Sequence, residues 1–255
     1  DLSPEACKVD QTAIRVLAAI GIPAACILHG YVGFLFGALK SNPWWSTPLM
    51  PIIFLFSAVV SGIALLIVIY QSDRTMRGRH INQECIASLS RWLWLFMIVT
   101  VSLELLEIVT LAYEQSEEWE IIGTLLTTKL SFSFISVQMI LGSLVPFILL
   151  MIVVLMNPYL HERVRNTLTF MAASILLLQV FAMRWNVVIG GQIFSKSLRG
   201  FRDYPLEFFG KEGILVGIII IAIPFVILYV LNRIFPAFSE GDEEETRTGP
   251  AQVKA

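Results

Sequence analysis

The sequence predicts an all-α polytopic membrane protein, and three observations carry that prediction. The chain has 255 residues, 56% of them hydrophobic and only 15% charged, with a mean hydropathy of +0.74. Two windows hold no charge at all: Leu49–Tyr70, "LMPIIFLFSAVVSGIALLIVIY", and Leu130–Met156, "LSFSFISVQMILGSLVPFILLMIVVLM". Each reaches the roughly 20 apolar residues a helix needs to cross the hydrocarbon layer. Nothing alternates with the period of two that a membrane barrel strand requires.

Four further segments bring the expected spans to six. The first, 13–39, contains Pro23, which a membrane helix tolerates when neighbours satisfy the freed backbone groups. After the 49–70 span comes 89–113, interrupted by Glu104 and Glu107, then 130–156. A short span, 164–183, follows, and 214–234 ends near Arg233. The expected architecture is one four-helix bundle plus flanking helices within a membrane domain, 13–238. A polar flank, 1–12, precedes it. The acidic stretch 239–255 is expected as a mobile tail, since it cannot offset its ordering by apolar burial.

Sidedness follows from Lys and Arg in the short flanks. Arg74, Arg77, Arg79 and Arg91 gather after the second span, Arg163 and Arg165 after the fourth, and Lys8 and Arg15 at the start. Glu114, Glu117, Glu118 and Glu120 follow the third. This pattern places a multi-pass protein in the cell membrane with both chain ends cytoplasmic. The connection from Arg184 to Lys211 runs against it, with five basic residues on the outer side. A basic outer loop suits an acidic partner or an anionic cofactor.

Several function classes drop out. A formal net charge of -2 leaves no nucleic-acid footprint, so lipids are the expected surroundings. Cys7, Cys26 and Cys85 are too few and too scattered for a disulfide framework or an iron–sulfur ligand set. A bis-histidine haem needs paired histidines at depth, where His29 stands alone; His80 and His161 read as ordinary loop residues. No clustered ligands suggest a metal, and no phosphate loop or dinucleotide fingerprint occurs.

Small residues mark close helix contacts, which association in lipid favours. Gly30, Gly33 and Gly37 fall on one face of the first span, and Ser57 and Ser61 on one face of the second. Trp44 and Trp45 fit an interfacial belt between them, and Pro48 and Pro51 suit a helix entrance.

Ionisable groups inside lipid are costly and default to function. Glu104 and Glu107, three apart, share a helix face. Together with His29, Lys129, Gln179 and Arg184 they fall in the outer half, with Gln138 deeper. We read Glu104, Glu107 and His29 as candidate proton-handling groups, and Arg184, Asn186, Gln192, Lys129 and Gln179 as candidate quinone-pocket or polar-network groups. The structural alternative is a buried network with Glu107–Arg184 or Glu104–His29 pairs. In "RWNVVIGGQ" the helix is expected to end near Arg184, with Asn186, Gly190, Gly191 and Gln192 in irregular backbone at the pocket rim.

Two stretches carry a family resemblance: "ILHGYVGFLFGALKSNPWWSTPLMPIIFLFSAVVSGIALL" and "RWNVVIGGQIFSKSLRGF". They resemble the NrfD/PsrC-like membrane subunits of polysulfide reductase and formate-dependent nitrite reductase, most of all the DsrP type of the DsrMKJOP sulfite-reduction-associated complex. The likeness covers about Ile14 to Pro236. It implies two four-helix bundles with flanking helices, and electron exchange between menaquinone or another quinone and an extracytoplasmic iron–sulfur subunit. Further implied partners are a multihaem cytochrome c, a haem b membrane subunit and a cytoplasmic iron–sulfur subunit. No haem or iron–sulfur cluster is implied within this chain, and sulfite reduction itself is not expected of it. The six spans would match the second half of a ten-span subunit, so four spans are expected before Asp1. The family's best understood quinone contacts lie in that first bundle. Only His29, Arg184, Asn186 and Gln192 carry over, as candidates for a second-bundle polar path. An ion- or proton-translocating subunit, or a purely structural anchor, are the competing functions.

Overall fold

A computed structural model describes residues 4–114, 117–194, 200–202, 207–210 and 213–234. The chain is all-α, and among the described residues six helices are long and apolar enough to cross a membrane. Among the described residues there is no sheet, only an isolated antiparallel bridge between Phe194 and Phe201. The expected tail at 239–255 lies outside the described residues.

The helices are α1 (Pro4–Gly37), α2 (Met50–Met76), α3 (Gln83–Glu114), α4 (Glu117–Thr124), α5 (Val145–Leu155), α6 (Glu162–Ile193) and α7 (Ile214–Ile234). Between α4 and α5 the chain widens into two π-helical segments, Leu125–Lys129 and Ser131–Leu144. The chain divides into two units. The second, 72–81 with 203–255, contains α7, which is apolar all round as a lipid-facing helix should be. It also holds the Arg77–Asp73 ion pair at 2.7 Å.

Four spans of the first unit share one core. Val60, Ala64 and Ile67 of α2 meet Leu93 and Met97 of α3, Leu150 of α5, and Ala172, Ala173, Leu176 and Val180 of α6. The small alanines let these helices approach, and Ser90 and Thr169 face each other across the α3–α6 contact at 3.4 Å. Residue His161, expected as a plain loop residue, caps α6: its Nδ1 accepts from the Arg163 N–H at 3.3 Å. Arg165 then ties that end together, donating to Asn157 and to Gln83 at 2.7 Å each.

Helix α1 packs only near its end, where Val32 and Phe36 meet a second cluster of Met50, Ile53 and Phe54 of α2 with Met183 and Val187 of α6. A Cβ at Gly33 would lie 2.6 Å from the Pro51 Cα, and one at Gly37 would lie 2.8 Å from the Thr47 carbonyl oxygen. Gly30 faces open space. Two of the three predicted glycines therefore serve close packing.

The widened segments have a sequence cause. In "TLLTTKLSFSF" the hydroxyls of Thr124, Thr127 and Thr128 donate to carbonyls four residues back, and Ser133 to the Leu130 carbonyl at 3.3 Å. Such back-bonding competes with the main chain. The Leu130 N–H bonds the Leu125 carbonyl, five residues back, at 2.9 Å.

One expectation fails outright. The helix does not end near Arg184; α6 runs unbroken to Ile193. Its glycines admit tryptophans instead of breaking the helix. A Cβ at Gly190 would lie 3.0 Å from the Trp44 Nε1, and one at Gly191 would overlap the Trp45 indole. Both indoles donate to α6 carbonyls, Trp44 to Asn186 at 3.1 Å and Trp45 to Val187 at 2.7 Å. Asn42 Nδ2 adds a bond to the Gly191 carbonyl at 2.8 Å. Trp44, only 8% exposed, thus packs within the protein, and the half-buried Trp45 holds α6 beside it.

Candidate functional site

Glu104, two-thirds of the way along α3, is 4% exposed. Its Oε2 accepts from Gln138 Nε2 at 2.9 Å, and its Oε1 from Gln179 Nε2 at 3.2 Å. Asn186 Nδ2 donates onward to Gln138 Oε1 at 2.8 Å, and Ser133 Oγ donates to Asn186 Oδ1 at 2.6 Å. Three elements therefore converge: α3 supplies the carboxyl, the second π segment Ser133 and Gln138, and α6 both Gln179 and Asn186. A buried carboxyl is tolerated in so apolar a bundle only when its lone pairs are met in this way.

Local geometry explains the convergence. Gln179 and Asn186 are seven apart, two turns of α6, and share a face. Ser133 and Gln138 are five apart, which an ordinary α-helix would splay by about 140°. Wider i→i+5 turns bring such positions together. Gly142 leaves the space through which the Gln179 side chain reaches Glu104, since a Cβ there would lie 2.6 Å from the Gln179 Cγ.

Beside this network lies a cavity of about 30 Å³, lined by Glu104, Glu107, Gln138 and Asn186 on its polar side and by Trp44 and Phe134 among its apolar walls. Thr47, from the connection between α1 and α2, lies beside Glu107. At roughly 10–15 Å³ per water the space holds about two waters.

The other predicted residues lie elsewhere. Arg184 meets neither glutamate; it donates to Ser57 Oγ at 3.2 Å, and its guanidinium carbon lies 4.7 Å from the Phe54 ring centre. His29 bonds the Ala25 carbonyl of its own helix at 2.9 Å. Neither alternative ion pair, Glu107–Arg184 or Glu104–His29, forms. Lys129 and Gln192 are exposed. With α6 extended to Ile193, Gln179 sits near mid-helix and not at its outer end, and Gln192 belongs to the last helical turn and not to an irregular rim. Among the described residues no group of three His, Cys, Asp or Glu comes together, and Cys26 and Cys85 are free thiols.

Sequence reasoning paired charges with charges and so passed over Ser133, Thr47 and Gly142. The one signal that could have found Ser133 is the density of hydroxyls in "TTKLSFS", which loosens helical turns.

A family model described as "Polysulphide reductase, NrfD" matches residues 4–196. A selenate reductase subunit from Mesobacillus selenatarsenatis is 46% identical over 57 residues, 22% of this chain and 13% of that protein. Protein NrfD of Escherichia coli is 41% identical over 54 residues, 21% of this chain and 17% of that protein. The matched stretches thus span less than a fifth of either relative.

Proposed function

This chain belongs to the NrfD polysulphide reductase family, and from that premise we propose that it is a membrane electron-transfer subunit of an anaerobic respiratory complex. In this reading it links menaquinone or menaquinol to an extracytoplasmic iron–sulfur partner, and both chain ends are cytoplasmic. The DsrP-type assignment, with a multihaem cytochrome c, a haem b membrane subunit and a cytoplasmic iron–sulfur subunit, rests on the resemblance of the two stretches quoted above. The names of the two relatives, one a reductase subunit, support the redox setting.

The chain's own residues supply proton handling. The observation that carries this is Glu104: a carboxyl 4% exposed, in contact with no base among the described residues, and held by two neutral amides beside a small cavity that Glu107 shares. An intramembrane carboxyl without a counter-ion has no structural need to be ionisable. Quinone exchange moves protons with electrons, and the carboxyl pair takes up or releases them through the cavity.

The test is the assembled complex in vesicles, with electron transfer from a soluble quinol and proton release followed together. Positioned proton-transfer groups contribute about 10²–10⁴-fold, so Glu104→Gln is expected to slow turnover by about 10² while assembly persists. Assembly lost with turnover per complex unchanged would instead mark a structural anchor. The water-sized cavity also favours a second reading, a proton-translocating subunit without its own quinone chemistry. Proton flux through the wild type in the absence of any quinol identifies that case.

A further inference from the structure

The hydrogen bonds that end on Glu104 form a row with one direction. Ser133 donates to Asn186 Oδ1, Asn186 Nδ2 to Gln138 Oε1, and Gln138 Nε2 to Glu104 Oε2, at 2.6, 2.8 and 2.9 Å. Every donor points toward the carboxylate. That suits the ionised group, which can only accept.

A protonated Glu104 is different, because one of its oxygens becomes a donor. With the proton on Oε2 and directed at Gln138, it would meet the amide NH₂ donor to donor, and in an apolar interior such a conflict leaves costly orphans. This row can resolve it by turning over. The Gln138 amide rotates so that Oε1 accepts from Glu104 and Nε2 faces Asn186. Asn186 rotates in turn, receives that donor on Oδ1 and offers Nδ2 to Ser133 Oγ. The Ser133 hydroxyl proton then swings to the Leu130 carbonyl, which already lies 3.3 Å from Ser133 Oγ. Gln179 keeps its bond to the other carboxyl oxygen throughout. Both directions keep every link of the row paired donor to acceptor.

We propose that Ser133, Gln138 and Asn186 are positioning residues that form a reversible hydrogen-bond row, holding Glu104 in both protonation states and carrying its state to the turn at Leu130. The row rests on the proton-handling reading of Glu104 and needs no quinone. No proton travels along it: one proton enters Glu104 from the cavity and leaves by the same way, while the amides only rotate. Among the described cavity-lining residues the other ionisable group is Glu107, on the same helix. The groups facing Glu104 from α6 and the π segment are neutral amides, α2 presents Met50 and Ile53, and the α1–α2 connection presents Trp44 to the cavity and Thr47 to Glu107. Leu130 is a sensitive end point. Its side chain packs against Gly190 with Trp44, so a change there reaches the cavity wall.

The experiment is pH-difference infrared spectroscopy on the purified complex, with the proton as the only ligand. A carboxylic C=O band, absent in Glu104→Gln, is expected to rise together with a paired shift of side-chain amide C=O bands. Gln138→Leu should abolish the amide shift and keep the carboxylic band. Asn186→Leu, which cuts the next link, should at least halve the shift and serves if Gln138→Leu does not assemble. Gln179→Leu, on the same carboxylate but off the row, should retain it. A carboxylic band without any amide shift in the wild type overturns the row, as does a shift undiminished in Gln138→Leu or Asn186→Leu. An amide shift that accompanies Glu104 protonation while redox turnover survives Glu104→Gln leaves the row standing and removes the proposed function.

Discussion

Helix α6 carries polar groups on two sides, and the two are built differently. On the side toward α3 and the π segment, Gln179 and Asn186 are 2% and 1% exposed and bond neutral or anionic partners. On the side toward α2, Arg184 is half-buried and has one hydroxyl and one aromatic ring for company. Arg184 follows Gln179 by five residues, about 140° around the helix. Complete burial has gone to neutral amides, which desolvate cheaply. The permanent cation stays where it is only partly desolvated. Closeness in sequence to the site is therefore not membership of it.

The largest effect should come from removing the acceptor at the centre of the amide side. Glu104→Leu leaves the Gln138 and Gln179 amide donors orphaned, about 1–3 kcal/mol each, or roughly 2–6 kcal/mol in all. A large fall in the thermal midpoint of the detergent-solubilised protein checks this. Asn186→Leu is next. It orphans Gln138 Oε1 but not Ser133, which can turn to the Leu130 carbonyl, so about 1–3 kcal/mol is expected. A loss equal to that of Glu104→Leu would mean that Ser133 has no second acceptor.

A double-mutant cycle tests the separation of the two sides directly. If Arg184 belongs to a different environment, Arg184→Gln and Glu104→Gln should add within about 0.3–0.5 kcal/mol, as distant sites do. A larger coupling, read from unfolding midpoints of the four proteins, would place the base and the acid in one electrostatic site after all.

How much of this the sequence revealed depended on which physical signal each feature leaves. Charge-free windows such as Leu49–Tyr70 leave a strong one, because the hydrocarbon layer imposes length and composition together. The helical character and the six candidate spans were legible for that reason. The end of α6 was not. Gly190 and Gly191 look like breakers, yet they are seats for Trp44 and Trp45 from a connection some 145 residues earlier, and such a contact leaves no local trace. Likewise, the partnering of Glu104 turns on helix phase and on the widened turns at Ser131–Leu144. Phase drawn from a regular 3.6-residue period cannot place Ser133 beside Gln138. An acid and a base stand out because charge is conspicuous in an apolar chain, whereas serine and glutamine do not.

The smallest predicted effect sharpens the comparison most finely, because it uses the same chemistry on the two sides. Ser57 and Ser133 are both helix serines that also bond a carbonyl three residues back. Ser57→Ala takes one acceptor from Arg184, whose ring contact with Phe54 and remaining N–H groups stay available. Interhelical hydrogen bonds in membranes average about 0.6 kcal/mol, and this one, at 3.2 Å to a half-buried donor, should fall at or below that. Ser133→Ala instead removes the donor to a buried amide oxygen at 2.6 Å and should approach the upper end, about 1.7 kcal/mol. Thermal midpoints of the two variants measured side by side decide it. If Ser57→Ala matches Ser133→Ala, the Arg184 side is as tightly desolvated as the amide side, and the division of α6 into a networked face and a loosely held one fails.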